Sequence, residues 1–467
     1  MKTKGFSLLL IFLIILISQN FLCANELTSQ ERSWLDKADR YEKDGWIFLH
    51  IEGVSFERGF QHGYLVANEL EEAIRVNKFL AEWYTGEDFT FFVKHANEMF
   101  ASKIDEEYIQ EMKGIAAGAT KAGFEISYEE ILAWNGLTEL LDYWWPTIVG
   151  EMPLKNDKCS AFIATGDYTK DGKIVMAHNT WNLYAAGQYF NIILDIDPDN
   201  GHRILMQSAP GLIDSSTDYF ITNAGIIGTE TTIGGYSGFD AEKIPEFMRE
   251  RKAMQYAETI DGWVQIMQEG NNGAYANSWL LGDINTNEIA RFEQGLKYSS
   301  FERSSNGYFS GYNVANDLKI RNQECTDAAY SDIRTPMGAR RVRWDELIQG
   351  NKGEIEPELA REFLADHYDI YLQEENMCSR NICGHYDLDP MQYWPERLPY
   401  APQGCVDGKV VDSNLAEAMK MWARWGCSCG TPFDAEEFID LHHQYNWLEG
   451  YLIDRPSQEW TTFSVQD

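Results

Sequence analysis

Basic residues are scarce in this chain, long apolar runs are confined to one end, and the signatures of several common enzyme mechanisms are missing. Its 467 residues carry 39 Lys and Arg against 73 Asp and Glu, a formal net charge of −34. So acidic a surface argues against a nucleic-acid or anionic-membrane partner, both of which it would repel. The acids are dispersed rather than blocked, as on a solvated surface. Beyond the N-terminus no stretch is apolar enough to span a bilayer, so the mature chain is expected to be soluble, without an integral membrane segment. There is no Gly-x-Ser-x-Gly elbow, since Gly235-Tyr236-Ser237-Gly238 has the wrong spacing. Neither a His-Glu-x-x-His zinc motif nor a phosphate-binding glycine loop occurs. Internal repeats and low-complexity tracts are lacking too. No Asn-x-Ser/Thr sequon has a permissible middle residue, which fits bacterial export.

The one apolar run, Phe6 to Ile17, follows Lys2 and Lys4 and precedes Leu22-Cys23-Ala24. That order reads as a signal peptide over residues 1–24, hence a secreted or periplasmic protein. The run is shorter than the roughly 20 residues of a membrane span, which disfavours a retained anchor. Cys23 lies in this segment, but Asn20 stands where a lipobox needs an aliphatic residue.

Seven further cysteines divide unevenly. Cys159 stands alone, while Cys325, Cys378, Cys383, Cys405, Cys427 and Cys429 crowd the C-terminal third. In an oxidising compartment the six suggest up to three disulfides, with about 15 possible pairings. The rival is a zinc site from Cys378-x4-Cys383 and Cys427-x-Cys429, although neither spacing is the usual Cys-x-x-Cys. Either way Cys159 is the odd thiol.

Apolar periodicity predicts a short polar helix over 25–42, a strand at Trp46–Ile51, and a helix from Glu57 towards Glu72. Gly59 and Gly63, four apart, clear one face of that helix for close approach, most simply onto a sheet. Ser127-x-x-Glu130 is a capping box that opens another helix. After a polar connector, 147–158, the pattern turns to β. Strands at Ser160–Thr165 and Lys173–Ala177 flank an Asp171-Gly172 turn, and further hairpins turn at Pro198–Gly201 and Asn223–Gly225. Ile244–Glu269 reads as one helix, followed by strands at Ser278–Gly282, Glu288–Glu293 and Leu296–Phe301. Helices are expected at Pro357–Asp366, Leu415–Trp425 and Ala435–Asn446. This order implies a layered α+β fold with helices covering a sheet.

The turn after Cys159 brings His178, Asn179 and Trp181 back towards it. A cysteine nucleophile needs a base and donors for the oxyanion, and no histidine has a papain-like or caspase-like setting. An N-terminal amine, with a pKa of about 8, is another base. Using it requires cleavage between Lys158 and Cys159.

Cys159-Ser160-Ala161-Phe162 with His178-Asn179-Thr180-Trp181 resembles the nucleophile region of the phospholipase B-like proteins. These are N-terminal-nucleophile (Ntn) hydrolases related to the peptidase C45 acyltransferases and, more distantly, to bile-salt hydrolases and penicillin acylases. Further stretches resemble that family in order: Gly53–Gly59 with Gly63, Ser208–Gly211, Ser215–Phe220, Gly225–Ile227, Glu230–Thr232, Gly273–Trp279 and Gly311–Asn313. Ala276 departs from it, standing in place of the first of paired asparagines. The resemblance implies an αββα sandwich of two antiparallel sheets covered by helices, and hydrolysis of acyl amide or acyl ester bonds, phospholipid deacylation among them. On that reading Cys159 is nucleophile, Asn277 an oxyanion donor, and His178, Trp181 and Asn179 shape the site. Glu230 or Thr231 contacts the oxyanion or substrate. Residues 25–158 form a propeptide or a small retained fragment, and 159–467 the catalytic region. No metal or organic cofactor is called for. A non-enzymatic secreted protein binding lipid or carbohydrate in a tryptophan-lined groove is the alternative.

Overall fold

The computed structural model describes residues 26–150, 158–215, 217–326, 329–391 and 398–465. The signal-peptide reading and most of the connector before Lys158 lie outside these residues. Seventeen strands form within them: β1 (Asp39–Lys43), β2 (Trp46–Gly53), β3 (Cys159–Thr165), β4 (Val175–Leu183), β5 (Ile192–Pro198), β6 (Ile204–Ser208), β7 (Phe220–Thr222), β8 (Ile226–Thr232), β9 (Asn277–Asp283), β10 (Glu288–Gln294), β11 (Ser299–Ser304), β12 (Gly307–Gly311), β13 (Tyr368–Asp369), β14 (Glu374–Glu375), β15 (Gln403–Asp412), β16 (Lys420–Trp425) and β17 (Thr461–Ser464). Nine make one sheet in the order β1-β2-β5-β6-β7-β8-β9-β10-β11, and six another, β12-β3-β4-β15-β16-β17.

Side-chain alternation, with its period of two, assigns each face. Ala161 and Ile163 of β3 meet Phe48, Ile193, Leu205, Ile221 and Leu280 of the larger sheet, so the two sheets pack face to face. Phe162 and Ala164 point the other way, onto Trp344 and Phe363 of helices Pro336–Gly350 and Pro357–Leu364. On the outer face of the larger sheet, Leu49, Leu194 and Trp279 pack against Met254 and Trp263 of helices Glu246–Tyr256 and Ile260–Gln268. The layers are therefore helix, sheet, sheet, helix, the expected αββα sandwich. One pairing departs from the antiparallel expectation: β2 runs parallel to β5. Among the described residues no helix is long and apolar enough to cross a membrane.

Several local expectations stand. Ser127 and Glu130 cap helix Tyr128–Asn135 reciprocally, and β3 and β4 form the hairpin that carries Cys159. Others are corrected. The polar segment at 25–42 divides into a helix, Ser29–Leu35, and β1. The helix expected over 244–269 is two, separated at 257–259. The helix expected at 415–425 is a short helix, Ser413–Glu417, followed by β16, whose burial alternates residue by residue. The face cleared by Gly59 and Gly63 meets a helix, Glu106–Ala122, rather than a sheet. A β-carbon on Gly63 would lie 1.9 Å from the Ile115 carbonyl oxygen, and one on Gly118 would lie 2.2 Å from that of Phe60. Neither position tolerates a methyl group without moving backbone.

Candidate active site

Cys159 is the first residue of β3, opposite Thr180 on β4, with Ala161 opposite His178. It is buried, 4% exposed. Burial pushes the thiol pKa well up and Glu230 adds to this, while the Trp181 backbone amide opposes it. An unassisted thiol here stays protonated near neutral pH, so nucleophilicity has to come from a base.

The main chain is held in place from the helix side. Arg340, fully buried on helix Pro336–Gly350, donates from one guanidinium nitrogen to the Cys159 carbonyl at 2.5 Å and from another to Asn313 Oδ1 at 2.8 Å. The centre of the Trp181 ring lies 4.1 Å from this guanidinium. Asn313 in turn donates to the Thr232 carbonyl at 2.9 Å. Lys158, the residue before Cys159, reaches Asp142 at 2.6 Å and lies 5.6 Å from the Tyr275 ring centre.

A polar wall on β8 and β9 faces this point. Burial pushes Glu230 up to about 8. The Tyr275 hydroxyl donates to Glu230 Oε1 at 3.3 Å, and Thr232 Oγ1 donates to Tyr275 at 2.9 Å. With its nitrogen turned to the acceptors around it, the Asn277 amide donates to Glu230 Oε2 at 2.8 Å and to the Ala276 carbonyl at 3.0 Å. Both amide hydrogens are thus occupied.

The structure separates the residues that the sequence grouped. His178 is wholly buried, and neither ring nitrogen meets a well-formed hydrogen-bond partner among the described residues. Burial holds its pKa well below the usual range, so the ring is neutral. Trp181 lies with its ring against the Arg340 guanidinium. Asn179 points away from the cysteine: its amide donates to the Leu364 and Ile382 carbonyls at 2.8 and 3.0 Å and accepts from Ser428 at 2.6 Å. Adjacent residues of a strand face opposite sides, so the side chains of 178 and 179 lie on different faces of β4. Thr231 turns the opposite way from Glu230, towards Gly311, which pairs with Ala161 of β3. A network that sequence reasoning missed lies beside Thr180. Lys409, fully buried, bonds Asp407 at 2.5 Å, Thr180 at 2.6 Å and Gln207. The i, i+2 spacing of Asp407 and Lys409, which puts both on one face of β15, was its local signal.

Behind Glu230 lies a store of buried carboxyls. Burial raises Asp214 and Glu139 to about 7, and raises Asp218, Glu246 and Glu250 as well. These groups hold protons when folded and release them on unfolding, since free carboxyls titrate near 4. Lowering pH from 8 to 6.5 therefore stabilises the fold, by about 1.4 kcal/mol per retained proton per pH unit. His62, depressed by burial to about 4, and His178 oppose this only from the acid end of that window, where unfolded histidine, with a pKa of about 6.5, starts to gain a proton. Calorimetry should show Tm higher at pH 6.5 than at pH 8; a flat or inverted profile would contradict the retention of these protons.

Residues 33–333 match the family model described as Phospholipase B. Phospholipase B-like 1 of Bos taurus is 23% identical, with 85% of this chain and 84% of that protein covered. An uncharacterized protein of Archaeoglobus fulgidus is 24% identical over 85% of this chain and 73% of its own length. Among solved structures, penicillin V acylase from Agrobacterium tumefaciens aligns with 57% of this chain and 83% of that one, at 12% identity and a TM-score of 0.35.

Proposed function

The chain belongs to the phospholipase B family, and on that premise we propose that it is an exported, self-processing cysteine hydrolase of acyl ester or acyl amide bonds. One observation carries the reading: Cys159 heads a buried strand with its carbonyl clamped by Arg340, facing the wall of Glu230, Tyr275 and Asn277. In maturation the thiol of Cys159 attacks the Lys158 carbonyl, and the peptide nitrogen leaves as the Cys159 amine. Water then hydrolyses the thioester, giving a Lys158 carboxylate. In turnover that amine accepts the thiol proton, and the thiolate adds to the acyl carbonyl. Asn277 turns an amide hydrogen from Glu230 to the oxyanion. The ammonium protonates the leaving alcohol or amine, and water, deprotonated by the amine, releases the acid from the thioester.

The fragment before Cys159 stays bound on this reading, because β2 pairs with β5 along seven residues of the larger sheet. The relatives' names favour phospholipid acyl esters as substrate.

Intact-mass analysis of the exported protein tests the processing, and acyl release from diacyl phospholipid and from N-acyl amino acids tests the reaction. Two chains, one starting at Cys159, with acid released from at least one substrate, are expected. A single chain inert to both would favour the binding-protein reading instead.

A further inference from the structure

All seven described cysteines are free thiols, so the expected disulfides are not formed, and four of these sulfurs converge with two imidazoles at one buried place. We infer that His367, Cys383, His385 and Cys429 bind a zinc-class divalent cation at a closed structural site. Geometry and donor chemistry carry this site, independently of the proposed hydrolase activity.

The four donor atoms lie within 4.8 Å of one another. For metal–sulfur bonds of about 2.3 Å and metal–nitrogen bonds of about 2.05 Å at tetrahedral angles, donors stand about 3.3 Å apart for N···N and about 3.55 Å for S···N. His367 Nε2 and His385 Nε2 are 3.2 Å apart, and Cys429 Sγ is 3.6 Å from His385 Nε2. Two imidazoles and two thiolates suit zinc and its neighbours rather than magnesium or calcium, which take oxygen. Four protein donors leave no position for substrate, as in structural sites.

The scaffold around the donors is set without the ion. The Thr431 amide donates to Cys429 Sγ at 3.4 Å, and Cys383 and His385 are pinned through their own amides to the Asp366 and Cys378 carbonyls. Asn381 ties His367 to the same loop at 3.0 Å. Cys427 and Cys405 flank the set and form with Cys383 a second group of three sulfurs. The Cys383–Cys427 separation of 3.1 Å exceeds an S–S bond, which is about 2.05 Å. Cys378, a ligand in the spacing-based zinc reading, instead reaches Asp369 at 3.4 Å. The histidines replace it, which Cys-to-Cys spacing could not reveal.

The ion would join the loop after helix Pro357–Leu364 to the turn after β16. Both touch β4, the partner of the nucleophile strand. Asn179 binds Ile382 and Ser428, and a β-carbon on Gly384 would lie 2.2 Å from the Trp181 ring.

The test uses the full chain purified without chelator from zinc-supplemented medium. About one zinc per chain is expected, with Cys383 and Cys429 shielded from alkylation until a chelator is added, and a lower Tm after chelation. Loading the stripped protein with cobalt(II) should produce tetrahedral d–d bands and sulfur-to-cobalt charge transfer, both weakened in Cys429→Ser and in His367→Gln. Metal-free protein in which Cys383 and Cys429 alkylate freely, or form a disulfide, would overturn the site. Metal content, alkylation and Tm are all read on the wild-type chain, so a variant that fails to fold does not affect them.

Discussion

Cys159→Ala is expected to remain a single uncleaved chain across residues 158 and 159 and to lose acyl hydrolysis by roughly 10³- to 10⁶-fold, the usual cost of deleting a nucleophile. The two losses have one cause in the proposed mechanism, in which the same sulfur attacks the Lys158 carbonyl once and the substrate carbonyl in every turnover. Alanine fills part of the same buried space at the head of β3, so the fold should survive and Tm should move little. Cys159→Ser separates the steps further: an alcohol is a poorer nucleophile than a thiolate, so cleavage slows before it stops. Mass spectrometry over a time course and acyl release measured on the same samples make the comparison. A normally processed alanine variant would exclude self-cleavage by this residue.

Arg340→Met should cost about 2–4 kcal/mol in denaturant unfolding and slow maturation at least tenfold. The methionine fills similar volume but leaves the Cys159 carbonyl and Asn313 Oδ1 without their donor, each a penalty of about 1–3 kcal/mol when buried. It also removes the cation from the face of Trp181. Arg340→Lys keeps the charge and loses the planar fork, so it should not restore cleavage. That pair distinguishes positioning from a general contribution to stability. If both variants mature at the wild-type rate despite lower stability, Arg340 holds the fold and not the scissile peptide.

Strands with strict alternation and turn dipeptides were legible, because hairpin formation is decided within a dozen residues. β3 came out of the sequence within one residue of its observed ends, whereas β4 runs to Leu183, six residues past the expected Ala177. Lys420–Trp425 also alternates with period two, yet alanine, methionine and lysine carry helical propensity. What makes it a strand is the pairing available from β15 and β17, which is tertiary. The split of the helix over 244–269 is instead local: Ala257 is extended, and the Thr259 side chain caps the second helix by accepting from the Gly262 amide.

By itself the sequence determined an isolated cysteine at the mouth of a hairpin, an ordered set of family motifs around it, and a sandwich of helices and sheets. These are properties of residue type and near-neighbour order. Only the tertiary structure decided which groups share the cysteine's environment. It turned Asn179 onto the Leu364 and Ile382 carbonyls and brought in Arg340 from 181 residues away. It buried Lys409 and Asp407 beside Thr180 and gathered His367 and His385 with the C-terminal thiols. Side-chain direction depends on strand register, and distant partners meet only when two sheets close on one another. Neither is encoded in local spacing.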